Sequence, residues 1–335
     1  MRTLIAVLVT LGTSVTVHAA RHADWPTYMK ANRYKCPGPF DSLAKPRTVT
    51  IQGKTYVHNG HRLTVKKRDE DNRLVIGVMS AMKDVSENTQ KNVSESLSWF
   101  RENGVEWVVV NGDIAVEELD LEDALDILGA SGFPVLLTLG NSESRSSFAR
   151  AYAARSAKYP NLVNGTWVRQ IVADDAEFWT LPGYYSKSFV YQGAGCRYKK
   201  EDVEAMRQGL KPEGDMPVVL VSHGPPRGDG NKSIDVISDR TNVGDEAMRS
   251  FINGADIKYG IFGHILESGG RAVGGDMKTP IEEKSESPTL FVNAGSISGD
   301  PWGMNDGSTS YGMAMIITIE GKTAAYEVKR FDSRF

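Results

Sequence analysis

Residues Val105 to Asp113 read Val-Glu-Trp-Val-Val-Val-Asn-Gly-Asp, and the fold that we predict is built around this stretch. A continuous apolar run rich in β-branched residues is typical of a strand buried on both faces of a parallel sheet. The run ends at Asn-Gly, a turn signal, so Asp113 lies at the carboxyl end of the strand. Open α/β sheets bind their ligands at that end. The alternative is that Asp113 only caps the next helix or stabilises the turn.

Apolar strands and amphipathic helices alternate around this stretch. A strand opens at Arg73, a helix begins near Ser86, a second helix spans about 119–128, and the strand Val135–Leu139 follows. This order predicts a parallel sheet with right-handed crossover connections. Further strands and helices follow, and the chain ends in a predicted hairpin at about 312–330.

The first residues of the chain have the pattern of a targeting segment. Arg2 precedes an apolar run, and Val17-His18-Ala19 fits a cleavage signal. Residues 1–19 are therefore predicted to be a secretory signal peptide, which is too short to span a membrane. The alternative is an uncleaved anchor. We expect an exported protein, periplasmic or extracellular, with no membrane span after cleavage.

Residues 20–72 are polar and rich in turn signals. Alternating runs around Gly53 and Asn59-Gly60 predict small antiparallel hairpins in an N-terminal extension, and the main domain is expected at 73–335. Cys36 lies in this extension and Cys196 in the main domain, and the chain has two Cys in all. In an oxidising compartment such a pair predicts a disulfide; two buried free thiols are the alternative.

The charge balance argues against nucleic acid as a partner. Lys and Arg number 39 against 42 Asp and Glu, and the formal net charge is -3. Nucleic-acid-binding domains usually carry a basic face, which this balance does not indicate.

Five apolar strands end in polar residues, and four of these ends carry potential metal ligands. The ends are Ser80-Ala81-Met82-Lys83, Gly112-Asp113, Gly140-Asn141, Ser222-His223 and Gly263-His264. Separate strand ends would place Asp, Asn and two His side chains on one rim of the sheet. Such ligands suit Zn, Mn or Fe.

In order and spacing these residues resemble the calcineurin-like metallophosphoesterase family, over about residues 74–299. That family carries Asp-x-His, Gly-Asp, Gly-Asn-His-Asp/Glu, a lone His and Gly-His-x-His. The resemblance implies an α/β fold, a four-layer αββα sandwich of two mixed β-sheets flanked by helices, here with a small N-terminal β-rich extension. It also implies hydrolysis of phosphate esters by a two-metal centre.

This sequence departs from the family pattern at four positions. Ala81 and Lys83 replace the first-motif Asp and His, Ser142 replaces the third-motif His, and Leu266 replaces the final His. The resemblance therefore implies that the first metal site is vacated at Ala81, Lys83 and Leu266. It implies that the second site is complete, with the ligands Asp113, Asn141, His223 and His264.

Lys83 suggests how the vacated site is filled. Its ammonium would lie beside Asp113 and satisfy a carboxylate that has lost one cation, so Lys83→Met should weaken folding or metal retention. One alternative is that Lys83 extends into solvent. Another is that Asp84 supplies the missing carboxylate through a shifted turn.

These residues support two functional hypotheses. The first is a catalytically impaired member or pseudoenzyme that binds at most one Zn, Mn or Fe ion, with Asp113 and His223 as candidate catalytic residues. The alternative is an active single-metal phosphoesterase that hydrolyses an unidentified phosphate ester. Replacement of the third-motif His by Ser142 favours the first, because general acid catalysis is typically worth about 10²–10⁴-fold. The expected partner is a phosphate-containing small molecule, and no protein partner is indicated.

Residues close to these motifs are candidates for contacts with a ligand, with core packing and ordinary loop roles as the alternative. They are Tyr184, Tyr185, Arg227, Asp229, Asn111, Glu143 and Arg145.

Overall fold

The strands and helices lie in the part of the chain that this computed structural model describes, residues 35–40, 46–69, 71–190 and 195–334. The predicted signal peptide lies outside these ranges. The strands are β1 (Arg47–Ile51), β2 (Lys54–Asn59), β3 (Arg62–Val65), β4 (Arg73–Met79), β5 (Trp107–Asn111), β6 (Val135–Thr138), β7 (Leu162–Asn164), β8 (Gln170–Val172), β9 (Glu177–Leu181), β10 (Val218–Ser222), β11 (Tyr259–Phe262), β12 (Arg271–Val273), β13 (Leu290–Asn293), β14 (Trp302–Gly303), β15 (Thr309–Ser310), β16 (Met313–Glu320) and β17 (Thr323–Arg330). The helices are α1 (Glu87–Glu102), α2 (Glu118–Gly129), α3 (Arg145–Ser156), α4 (Lys200–Gly209) and α5 (Glu246–Gly254).

Six strands form one mixed sheet in the order β17-β16-β4-β5-β6-β7. Strands β4 to β7 run parallel to one another, while β16 is antiparallel to β4 and β17 is antiparallel to β16. Every residue of the central strand β5 is buried, as its apolar sequence predicts. The predicted parallel arrangement around this strand is confirmed.

Nine strands form the second mixed sheet in the order β1-β2-β3-β8-β9-β10-β11-β13-β12. The chain turns at Gly53 and Gly60 between the three N-terminal strands, and each of these strands is antiparallel to the next. Strand β3 then pairs in parallel with β8, so these N-terminal strands extend the large sheet rather than forming a body of their own.

The side chains of β5 show how the layers pack. Trp107 and Val109 point into the core between the two sheets, together with Phe178 and Val221 of the second sheet. Val108 and Val110 point to the opposite face, into a core that α1, α2 and α3 complete. Helices α4 and α5 cover the outer face of the second sheet. The predicted four-layer αββα sandwich of two mixed sheets is confirmed.

Cys36 and Cys196 form a disulfide, with Cα atoms 4.9 Å apart, as predicted. Both cysteines are buried, and Cys36 N donates to the carbonyl of Arg197. The bridge fixes the N-terminal segment to the loop that precedes α4. Within the described ranges, no helix is both long and apolar enough to cross a membrane.

Candidate metal centre

Four polar side chains meet where strands of both sheets end. Asp113 follows β5 and Asn141 follows β6, in the six-stranded sheet, whereas His223 and His264 follow β10 and β11 of the second sheet. Single ligand atoms of Asp113, His223 and His264 lie within 4.8 Å of one another. Asn141 joins them, because its Oδ1 lies 3.1 Å from Nε2 of His223. We call these four residues the retained half of the centre.

The backbone brings these side chains together at a conformational cost. Asp113 and His264 have φ angles of 53° and 64°, in the left-handed region that costs an L-residue roughly 1–2 kcal/mol. Gly140 also serves this close approach, because a Cβ atom there would collide with the Asp113 carboxylate. The sequence signal Gly-Asn therefore marks a place where two loops touch.

Hydrogen bonds leave three ligand atoms facing one another in the retained half. Nδ2 of Asn141 donates to the Phe189 carbonyl at 2.7 Å, so the amide oxygen faces His223. The Asn111 carbonyl can only accept, so Nδ1 of His223 donates to it at 2.8 Å and Nε2 is the ring atom that faces Asn141 and Asp113. Nε2 also lies 3.3 Å from Oδ1 of Asp113. A metal ion would take the place of a proton on Nε2 between these atoms, and one nitrogen with two oxygens suits a divalent transition metal ion.

Asp113 and His264 have protonation states that suit metal binding, and at His223 a metal ion competes with a proton. Burial raises the pKa of Asp113, but the adjacent His223 outweighs burial and holds this pKa below its usual value. Burial lowers the pKa of His223, and the Asp113 carboxylate outweighs that effect and raises it. Burial and the charge of His223 lower the pKa of His264 to about 3. Asp113 is therefore an anion and His264 is neutral at neutral pH, which are the forms that bind metals.

Glu143 braces the two loops that carry Asp113 and Asn141. Its buried carboxylate accepts from Ile114 N and, at 2.9 Å, from Gly140 N. Burial and the Asp113 charge raise the pKa of Glu143 to about 7. Glu143 was a candidate for ligand contact from the sequence, and its contacts here are with the backbone of the chain itself.

Ala81, Lys83 and Leu266 lie beside the retained half, and we call these three positions the vacated half. Ala81 N donates to the Gly112 carbonyl and Lys83 N to the Asp113 carbonyl, each at 2.9 Å. Ala81 and Leu266 are buried and offer no ligand atom from their side chains. Ser142 replaces the third-motif His of the family pattern. Its backbone N–H donates to Oδ1 of Asp113 at 3.1 Å.

The Lys83 side chain does not follow the expectation from the sequence. Its ammonium lies 4.6 Å from the centroid of the Trp302 ring and forms no ion pair with Asp113. The half-buried side chain is held by the indole face, to which cations are attracted. The ammonium therefore packs against Trp302, and its charge also contributes to lowering the pKa of His264.

Asp84 does not replace the missing first-motif carboxylate. Its Oδ1 accepts from Ser86 N and from Thr89 Oγ1, both at 2.9 Å. Asp84 therefore stabilises the start of α1, and the alternative of a shifted turn is wrong.

Aromatic rings surround His264, and the sequence identified them incompletely. Tyr184 was a candidate for the rim of a cleft, yet it is fully buried, with its ring centroid 3.9 Å from that of His264. Phe189 contacts both rings and is 52% exposed. Phe189 and Trp302 were missed, although each is an aromatic residue in a segment of the sequence rich in Ser, Gly or Pro.

A second group of carboxylates, Asp69, Asp174 and Asp175, is also close enough to hold a cation. In this group a lysine side chain provides the positive charge, because the Lys54 ammonium lies 2.6 Å from Oδ2 of Asp174. This group stands apart from the strand ends that carry the retained half.

Comparisons with known proteins identify the family and agree with the fold. The family model of the calcineurin-like phosphoesterases matches residues 84–268. One crystal structure, 15% identical, aligns over 78% of this chain and 100% of its own with a TM-score of 0.55. The crystal structure of TT1561 of Thermus thermophilus, 11% identical, aligns over 78% and 99% with a TM-score of 0.53. A dimetal phosphatase from Danio rerio, 13% identical, aligns over 77% and 99% with a TM-score of 0.46. No curated protein sequence matches the chain.

Proposed function

Since the chain belongs to the calcineurin-like phosphoesterase family, we propose that it is an exported member with a single metal site. In this proposal it binds a phosphate-containing small molecule and hydrolyses phosphate esters weakly or not at all. Asp113, Asn141, His223 and His264 hold one Zn, Mn or Fe ion, and the sites vacated at Ala81, Lys83 and Leu266 hold none.

One observation carries this proposal: Oδ1 of Asp113, Oδ1 of Asn141 and Nε2 of His223 converge because the other polar atoms of Asn141 and His223 are already bonded. The His223 proton is directed to Asn111 and the Asn141 amide to Phe189. Such second contacts orient metal ligands in proteins. A divalent ion there supplies a Lewis acid that attracts phosphate oxygens.

The chemistry beyond binding is limited by what surrounds the retained half. Ser142 offers no imidazole to protonate a leaving group, and general acid catalysis is typically worth about 10²–10⁴-fold. The described His residues other than His223 and His264 are His58 and His61, on the hairpin formed by β2 and β3. Lys83 can offer a positive charge to a phosphate group.

The alternative is an active single-metal phosphoesterase. The completeness of the retained half favours it, because three or four ligands with an open position can support hydrolysis by one metal ion. Asp113 and His223 would then be essential to activity as ligands of that ion.

Hydrolysis of p-nitrophenyl phosphate and bis(p-nitrophenyl) phosphate decides between these hypotheses. Protein loaded with Zn, Mn or Fe is compared with Asp113→Asn, which keeps the volume of the side chain and removes its charge. We expect the rate of the wild type to exceed that of Asp113→Asn by less than about 10²-fold, the lower range of what general acid catalysis contributes. A larger metal-dependent rate that disappears in Asp113→Asn would overturn the hypothesis of an impaired enzyme and establish the alternative.

Export is the second part of the proposal, and the Cys36–Cys196 disulfide supports it, because such bonds persist in oxidising compartments. Mass spectrometry of the protein recovered from the periplasm or medium tests it. We expect a mature chain that begins at Ala20. A chain that keeps Met1 and remains in the cytoplasm would contradict export.

A further inference from the structure

Large apolar side chains are exposed at three positions in the part of the chain that the structure describes. Leu119 is 75% exposed, Phe189 52% and Trp302 41%. Single exposed apolar residues are common on protein surfaces. Here, however, both exposed aromatic rings lie at the metal centre, one beside each half.

Phe189 lies beside the retained half. Its carbonyl accepts the amide proton of Asn141, and its ring is nearly perpendicular to the His264 ring at 5.6 Å between centroids. It also contacts Tyr184 edge to face, at 5.9 Å. The inner edge of the Phe189 ring is therefore fixed against the metal ligands, while half of the side chain remains free to contact a ligand.

Trp302 lies beside the vacated half. It belongs to the β14–β15 hairpin, which Asn305 N ties to the Glu267 carbonyl in the turn that begins at Leu266. The Lys83 ammonium lies over its ring, while Lys83 N is bonded to the Asp113 carbonyl. A flat apolar surface and a positive charge thus stand together beside the vacated half.

We propose that the two exposed aromatic rings beside the centre recognise the organic part of the ligand, and that this protein binds phosphate esters or phosphonates that carry an aromatic group. This inference rests on the proposed single-metal function, and it names the ligand class of that site. The aromatic group packs against Trp302 and Phe189, since aromatic side chains favour edge and offset contacts with other rings. The Lys83 ammonium is a compact positive charge that contacts the negatively charged phosphate group.

Two non-hydrolysable probes test this inference whether or not the protein turns over a substrate. Phenylphosphonate and methylphosphonate carry the same charged group and differ in the ring. Isothermal titration of the metal-loaded protein should show phenylphosphonate binding about five- to tenfold more tightly, as expected for contacts with two aromatic side chains. Trp302→Ala and Phe189→Ala should each reduce this ratio.

Leu119→Ala is the matched control, since Leu119 is the exposed apolar residue outside the metal centre, and it should leave the ratio unchanged. Lys83→Gln should weaken both phosphonates together and keep the ratio. Equal binding of the two probes to the wild type, or a ratio that survives both aromatic substitutions, would overturn the inference.

The outcomes separate this inference from the proposed function. Metal bound at the centre with equal affinity for both phosphonates leaves the single-metal function standing and removes the aromatic preference. A chain that holds no metal ion refutes the proposed function. Failure of the metal-loaded protein to bind either phosphonate refutes the aromatic preference together with the phosphate-binding role.

Discussion

The retained and vacated halves of the centre use the same kind of backbone and differ in their side chains. Asp113 and His264 have φ angles of 53° and 64°, and Ala81 and Lys83 have φ angles of 48° and 65°. In the retained half the left-handed backbone brings ligands together. In the vacated half the same conformation persists with the methyl group of Ala81 and with the side chain of Lys83, which lies over Trp302.

Hydrogen bonds between strand ends explain why the vacated half keeps its shape. Ala81 N and Lys83 N donate to the carbonyls of Gly112 and Asp113. Ser296 Oγ also donates to the Ala81 carbonyl, at 2.8 Å. These bonds involve the backbone of positions 81 and 83, so they do not depend on which side chains stand there. The backbone of the proposed metal site can therefore keep its conformation when the side chains at these positions are replaced.

Restoring the family's side chains in the vacated half and at position 142 should give the largest effect on metal content and hydrolysis rate. We expect the combined variant Ala81→Asp, Lys83→His, Ser142→His and Leu266→His to bind a second metal ion. Its rate of p-nitrophenyl phosphate hydrolysis should rise by at least about 10²-fold, the lower range for general acid catalysis alone. Elemental analysis and the hydrolysis assay measure the two effects.

The variant that lacks only the Ser142→His change is the control, and it should bind the second ion with a smaller gain in rate. A folded rebuilt protein that still binds one ion would show that the two halves differ in more than their side chains.

Removing one charge from each half should affect metal affinity very differently. Asp113→Asn removes a direct ligand, so we expect affinity to fall by more than the roughly 10–100-fold typical of residues that only orient ligands. Lys83→Met removes a charge held over Trp302, and the change should stay below about fivefold, as for exposed ion pairs. Competition with a chromophoric chelator measures both. Equal losses of metal affinity in the two variants would indicate that the Lys83 ammonium lies beside Asp113.

Opening the disulfide should have a smaller and more diffuse effect on the retained half. Tyr184 N donates to the Cys196 carbonyl at 3.2 Å, and the Tyr184 ring supports His264. Cys36→Ser with Cys196→Ser should lower the free energy of unfolding by about 2–5 kcal/mol and weaken metal binding modestly. Denaturant unfolding measures the first effect. Unchanged stability would mean that the loop is held without the bridge.

The strand pattern was sufficient for a parallel sheet with one polar rim, and the family resemblance implied the second sheet and the four layers. The polar residues that follow five apolar strands indicated that rim, and the structure brings Asp113, Asn141, His223 and His264 together there. Strand ends are local features, and parallel pairing then determines which of them meet.

Other features of the structure depend on contacts between residues far apart in the sequence, which local sequence patterns do not predict. The N-terminal strands join the large sheet through the pairing of β3 with β8, between segments about a hundred residues apart. Lys83 is held by Trp302, and the Phe189 ring packs against His264, each pair far apart in the chain. Asp84 lies next to the first motif, yet it bonds forward into the start of α1.

The most direct test of the single-metal centre is the number of metal ions per chain in protein purified from its native compartment. Elemental mass spectrometry, combined with amino-acid analysis for the protein concentration, gives this number. We predict about one transition-metal ion per chain, held by four ligands, and none in His223→Ala. Two ions per chain would show that the half containing Ala81, Lys83 and Leu266 still binds metal, and none in the wild type would show that the retained half does not.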